Sequence, residues 1–330
     1  QYLKERELDE TTIKSFRLGY ALPLRTALKS ALLELGLEEE SLITCGLLAK
    51  PNDFKGHNTY DRFRNRIIFP ITNRQNQIIG FGGRILGNGE PKYLNSPETP
   101  IYHKGRELFG LTQATSSINK LNTILVTEGY MDVIALHKAG FKNSIAPLGT
   151  ALTEEQIHLL WRKVPEPILC FDGDAAGQRA AGRVALKVLP LLKPGYSLRF
   201  VIMPWGEDPD TLIKTHGPDA MDKLLSSPLP LSEFIWMLET EGGELPRLPE
   251  HRAALQQRLK EHSALIQDPT VRSHFLSSFN HKIWERSDRN STVKHTLQIN
   301  KWKSNVNLQK EAGPMAKTDI EKIREAILLA

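Results

Sequence analysis

Residues 123–136 read TILVTEGYMDVIAL, and the change of period inside this stretch decides the kind of fold. Thr123 to Thr127 is a short run of aliphatic and β-branched residues, of strand length and strand composition. From Met131 to Ala139 the apolar positions recur at helical spacing, and Glu128-Gly129 separates the two textures. A strand that passes directly into a helix is half of a βαβ unit, and the alternation continues downstream. Ser144 to Pro147 is followed by Glu154 to Trp161, Ile168 to Phe171 by Ala175 to Leu189, and Leu198 to Met203 closes the series. Parallel strands need crossovers of this length, so the rhythm predicts a parallel sheet covered by helices.

On the amino-terminal side, Leu8, Ile13, Phe16 and Leu18, then Leu28, Leu32, Leu33 and Leu35, predict helices up to about residue 48. Between Tyr60 and Lys104 the pattern changes to short β runs. Arg66–Ile71 and Gln77–Phe81, joined by the turn residues 73–76, predict an antiparallel hairpin. On the carboxyl-terminal side, Leu231–Leu238, Ala253–Ile266 and Val271–Trp284 are helical in pattern. A polar stretch follows, ending in a short amphipathic segment, Ile320–Leu329. The expected organisation is an α+β subdomain with a basic surface over 1–120, the parallel-sheet subdomain over 121–215, a helical subdomain over 216–300, and a linker or the start of a further domain over 301–330.

Composition narrows the classes. With 330 residues, 40% hydrophobic and 25% charged, the chain is ordinary for a globular protein of two or three domains, which excludes disordered, collagenous and disulfide-scaffold readings. Cys45 and Cys170 stand far apart without CxxC or Cys/His spacing, so no zinc site or disulfide framework is legible, and a reducing, cytoplasmic setting is expected. No apolar run reaches the length that spans a bilayer. Gln1 in place of Met points to a piece of a longer protein.

In an open parallel sheet, ligands bind beyond the carboxyl ends of the strands. Those ends carry Glu128-Gly129, Asp172-Gly173-Asp174 and Asp208-Pro209-Asp210. Taken singly, each is an ordinary turn sequence. Placed together on one sheet edge, the carboxylates repel one another unless cations sit among them, and hard divalent ions such as Mg²⁺ or Mn²⁺ suit all-oxygen donors. Asp132, four residues after Glu128, is expected near the same edge. Gly129 and Gly173 permit sharp strand-to-helix turns.

These motifs, with Glu128-Gly129-Tyr130-Met131-Asp132-Val133 and Glu207-Asp208-Pro209-Asp210-Thr211 in full, resemble the TOPRIM signature of bacterial DnaG-type DNA primases. The upstream stretches Tyr60–Arg66, Gly80–Arg84, Pro91–Thr99 and Ile101–Gly105 resemble the primase-specific amino-terminal half of that catalytic core. The resemblance implies a TOPRIM-type α/β fold, with an amino-terminal α+β subdomain and a carboxyl-terminal helical subdomain. It further implies a nucleotidyltransferase that makes short RNA primers on single-stranded DNA with two or more Mg²⁺ or Mn²⁺ ions. It assigns Glu128, Asp172 and Asp174 to catalysis and metal, Asp208 and Asp210 to metal, and Arg6, Arg84, Lys92, Asn95 and Lys104 to nucleic acid or nucleotide. Zinc belongs to a module not legible in this chain. The implied partners are ribonucleoside triphosphates, the template, and, through regions largely absent here, the replicative helicase and single-strand-binding protein. The implied state is a nucleoid-associated monomer with no membrane contact.

Charge distribution is consistent with a polyanionic partner. Residues 50–106 carry ten Lys/Arg against four Asp/Glu, whereas 121–210 carry nine against ten, so the overall +5 is concentrated upstream of the acidic motifs. The bland alternative is that Arg62, Arg64 and Arg66 form one solvated face of a strand, and Tyr60, Phe63 and Tyr93 read first as core or turn aromatics. His103, beside Lys104, is the one histidine placed to matter. Rival functions are another TOPRIM phosphoryl transferase, a nuclease or topoisomerase fragment, or a non-catalytic nucleic-acid-binding module. A topoisomerase needs a tyrosine nucleophile, and nothing around Tyr20, Tyr60 or Tyr196 singles one out.

Overall fold

The computed structural model describes residues 3, 6, 8–51, 58–149, 151–240 and 243–285; the segment 301–330, with its Ile320–Leu329 pattern, lies outside them. Its strands in chain order are β1 (Gly19–Ala21), β2 (Leu48–Ala49), β3 (Tyr60–Asp61), β4 (Arg66–Thr72), β5 (Ile78–Ile85), β6 (Tyr93–Asn95), β7 (Leu125–Val126), β8 (Ser144–Ile145), β9 (Ile168–Phe171), β10 (Arg199–Ile202) and β11 (Leu229–Pro230). The chain divides into two units: Gln1–Asn122 with Gly129–Gln156, and Thr123–Glu128 with Ile157–Ala330.

In the first unit, β4 and β5 form the expected antiparallel hairpin. Its turn is closed by Asn73, whose Oδ1 accepts the N–H groups of Gln75 and Gln77 at 3.0 and 2.9 Å, and by Asn76 in the left-handed region. The sheet order is β1-β4-β5-β6. Helices occupy Glu10–Ser15, Ala27–Glu34 and Glu39–Thr44 as the spacing predicts, but β1 interrupts them, because three residues paired to β4 carry almost no periodic signal of their own. Alternate β4 residues Ile67, Phe69 and Ile71 are buried, and the rings of Phe69 and Phe109 lie 5.0 and 4.7 Å from that of Tyr130. Tyr102, Val133, Ile134 and Leu148 belong to the same core. Each such side chain contributes roughly 1.5–3 kcal/mol by leaving water.

The second unit contains the strand order β11-β10-β9-β7. β7 pairs with β9 and β9 with β10 in parallel, and the helix Ala175–Val188 makes the crossover, burying Gly177, Ala181, Val184, Ala185 and Val188 on one stripe. The edge strand β11 is antiparallel, so the sheet is mixed rather than purely parallel. It ends in Pro230, a residue compatible with an edge. Beyond it come the helices Leu231–Glu239, Pro249–Ala264 and Pro269–Glu285. Phe234 stacks on Phe200 of β10 at 4.0 Å, and Glu239 accepts from Arg258 (2.6 Å) and approaches His262 (2.9 Å) to tie two of these helices together. Among the described residues no helix is long and apolar enough to cross a membrane. Cys45 is exposed, Cys170 buried, and both are free thiols.

Candidate active site

Three turns of the second unit carry the acidic motifs, and each is held by backbone groups. After β7, Glu128 accepts the Asp172 N–H at Oε1 (2.9 Å). After β9, Asp174 caps the helix Ala175–Val188, its Oδ1 accepting from Ala176 (2.9 Å) and Gly177 (2.8 Å). After β10, Asp208 and Thr211 form a reciprocal capping box at the start of Pro209–His216, with Thr211 N–H donating to Asp208 Oδ1 at 2.6 Å.

Two glycines make the packing of these turns feasible. A Cβ on Gly173 would lie 1.8 Å from the Pro204 carbonyl oxygen, and one on Gly177 would lie 2.2 Å from that of Asp172. Gly173 also donates its N–H to the Glu207 carbonyl at 2.8 Å, so the turn after β9 is stitched to the loop after β10.

The electrostatics follow from this convergence. Burial, and then the charges of Glu128, Asp208 and Asp174, push the Asp172 carboxyl up to about 7. Burial also raises Glu128, against the hydrogen bond from Asp172 N–H; Asp174 raises it further, while Arg183 lowers it. Asp172 Oδ1 is buried with no hydrogen-bond partner. Asp210, only 3% exposed, is ion-paired with Lys214 at 2.8 Å. Among the described residues no three His, Cys, Asp or Glu side chains are drawn tightly enough together to hold an ion by themselves. The donor chemistry nonetheless fits a hard divalent cation: all oxygen, mutually repulsive, and including one buried oxygen that nothing else satisfies.

Asp132 lies in the first unit, where its Oδ2 accepts the Gly129 N–H at 3.0 Å and caps the helix Tyr130–Lys138. Sequence reasoning gave no role to Glu207, although its Oε2 is buried without a partner and its carbonyl receives Gly173. No spacing rule marks a residue whose main chain does the holding.

The first unit holds the basic residues. Arg62 and Arg64 precede β4 rather than alternating along it, yet Arg62, Arg64 and Arg66 line one groove of about 390 Å³ with Tyr60, Glu90 and Leu94. Arg62 donates to the Asn95 carbonyl at 3.2 and 3.0 Å, and Arg66 to that of Gly83 at 3.0 Å. Arg64 donates to the Asp61 carbonyl at 2.6 Å and lies 4.8 Å over the Tyr60 ring, with Arg25 at 5.0 Å from the same ring.

Of the residues assigned by resemblance, Lys92 is exposed, Lys104, Arg84 and Arg6 are half-buried, and Arg84 lies 5.9 Å over Tyr93. Asn95 has its side chain engaged: it donates to the Leu148 carbonyl (2.9 Å) and accepts from Tyr130 (2.6 Å). Phe63 is a core residue, and His103 pairs with Glu98 at 2.9 Å.

A mainly parallel sheet with Glu-Gly, Asp-Gly-Asp and Asp-Pro-Asp at its strand ends defines the Toprim class, and a Toprim domain model matches residues 122–201. The model described as DNA primase catalytic core, N-terminal domain, matches residues 1–115. A crystal structure of a DNA primase domain from Pseudomonas aeruginosa is 41% identical, with 86% of this chain and 87% of that chain covered at a TM-score of 0.77. A DnaG primase catalytic domain bound to single-stranded DNA is 39% identical over 86% and 87% of the two chains, at 0.76. The DNA primase of Rickettsia bellii is 40% identical over 86% of this chain and 47% of its own length. That of Escherichia coli K12 is 44% identical over 72% and 40%. The chain thus belongs to the catalytic-core family of DnaG-type DNA primases, and it spans about half the length of the curated relatives it matches.

Proposed function

We propose that this chain is the catalytic core of a DNA primase, an enzyme that joins ribonucleotides into a short RNA primer on a single-stranded DNA template. The observation that carries the reading is the carboxylate set around Asp172, whose repulsion and unpartnered Oδ1 a divalent cation would satisfy. In the reaction the terminal hydroxyl of one ribonucleotide attacks the α-phosphorus of a second nucleoside triphosphate, and pyrophosphate leaves. Glu128, Asp172 and Asp174 would hold one Mg²⁺ or Mn²⁺, and Asp208 with Asp210 a second. Bound there, such ions lower the pKa of the attacking hydroxyl and offset charge on the phosphates.

The chain's own contribution is orientation. The caps made by Asp174 and Asp208 fix those side chains through one oxygen and leave the other for a ligand. Lys92, Lys104, Arg84, Arg6 and Asn95 hold template or incoming nucleotide, and Asn95 at the same time anchors Tyr130 and the Leu148 main chain. The helicase and single-strand-binding protein would be met through other parts of the longer protein, at the nucleoid, and the core acts as a monomer. The organisation that goes with this reading is the division at about residues 120, 215 and 300.

The test incubates the chain with single-stranded DNA, ribonucleoside triphosphates and Mg²⁺ or Mn²⁺. Short RNA products are expected, and none when EDTA replaces the cation. Metal-dependent cleavage without synthesis would favour a nuclease, and binding with neither reaction a non-catalytic module.

A further inference from the structure

The loop joining β10 to the capping residue Asp208 carries an exposed tryptophan, Trp205, at its tip. The Glu207 N–H donates to the Pro204 carbonyl at 3.1 Å, and Gly206 between them has φ 77°. These features describe a type II turn with Trp205 at its first central position and the glycine where a positive φ is required. The turn is held from outside as well, since the Gly173 Cα packs against the Pro204 carbonyl and the Gly173 N–H reaches the Glu207 carbonyl. Asp172 and Asp174 flank that same glycine.

Trp205 differs from the packed tryptophans of the second unit. Trp161 and Trp236 are buried and donate their indole N–H groups to the Ser197 and Gly243 carbonyls. Trp205 is 41% exposed. A large aromatic face left partly in water, on a backbone pinned next to the carboxylates proposed above to hold cations, suits stacking of a base, because every base offers a π-face and a rigid platform loses little entropy on binding.

We propose that Trp205 is a base-stacking residue that positions a nucleotide whose phosphates lie at the acidic turns. The inference rests on the primase reading above. The nucleobase belongs either to the nucleoside triphosphate or to single-stranded nucleic acid, and the experiment separates them.

Trp205→Ala and Trp205→Phe are compared with the unaltered chain for binding of ATP, of inorganic triphosphate and of an oligo(dT) strand, each with Mn²⁺, alongside primer synthesis. The Ala variant is expected to lose at least about fivefold in affinity for ATP or for oligo(dT), whichever carries the stacked base. Inorganic triphosphate, which has no base, should bind as before, and Phe should restore most of the loss. Equal ATP and oligo(dT) binding by the Ala variant and the unaltered chain would overturn the proposal, as would an equal loss of inorganic triphosphate. If the unaltered chain makes no primer, the primase reading fails; if it does and the Ala variant matches it in binding, the stacking role alone fails.

Discussion

At the scale of single residues, the buried carboxyl of Asp172 carries an electrostatic cost in the folded chain. Its carboxyl is raised to about 7 by burial and by its acidic neighbours, so between the ordinary aspartate range and neutrality the folded protein holds a proton that the unfolded chain releases. Folding stability without added cations therefore falls as pH rises through that window and stays reduced above it. Asp172→Asn removes the effect. In urea denaturation without divalent ions, the variant should be more stable than the parent at pH 8, by about 2 kcal/mol after allowance for partial exposure, with a smaller difference at pH 5. Primer synthesis should be abolished. A variant less stable at pH 8 would mean that the carboxylate holds the turn together instead.

Lys92 is exposed and belongs to the basic upstream region. Lys92→Ala should weaken binding of single-stranded DNA and make the dependence of log affinity on log salt shallower by about 0.7. An unchanged slope across a salt series would remove Lys92 from the phosphate-binding set.

At the scale of elements, the turns matter more than the strands they follow. Gly177→Ala would put a methyl carbon against the Asp172 carbonyl, where only 2.2 Å is available. Backbone cannot yield as a flexible side chain does, so we expect a loss of more than about 2 kcal/mol in denaturation midpoint experiments, together with loss of synthesis as Asp174 leaves its cap. Wild-type stability would show that the turn has room to move.

The elements also show what the sequence discloses and what it conceals. The β7-to-β10 series and the hairpin at β4–β5 were legible because each strand contrasts in period with its neighbour and ends at a turn with its own chemistry. β1 and β11 were not legible: two or three residues that acquire strand geometry only by pairing with a distant partner leave no local pattern. Residue types and spacing pointed to Glu128, Asp172, Asp174 and Asp208, whose carboxylates converge, and to Asp210, which is paired with Lys214. Sequence could not reveal that Asn95 bonds Tyr130 and Leu148, or that the Glu207 carbonyl holds Gly173, since both are contacts across long sequence separation. Nor could it distinguish Arg62 and Arg66, which donate to main-chain carbonyls, from Lys92 at the surface.

At the scale of the whole molecule, the first unit is discontinuous, with Tyr130, Val133, Ile134, Ala146 and Leu148 in the same core as Phe69 and Phe109. A fragment ending at residue 122 lacks those core side chains. It should give weak chemical-shift dispersion in NMR spectra and denature without a sharp transition, whereas the full chain unfolds cooperatively. A well-dispersed spectrum from residues 1–122 would show that the hairpin sheet is self-sufficient.

The late arrival of Tyr130 and Leu148 also bears on synthesis. As the chain leaves the ribosome, the hairpin β4–β5 has its turn and ladder complete while, of its core partners, only amino-terminal ones such as Leu8 and Phe16 have preceded it. Once β5 ends at Ile85, the core of Ile67, Phe69 and Ile71 is completed only when about another sixty residues, up to Leu148, have emerged, several seconds at ordinary translation rates. In that interval the newborn hairpin presents an incompletely covered hydrophobic face, which is the stage at which the emerging chain is most exposed to aggregation.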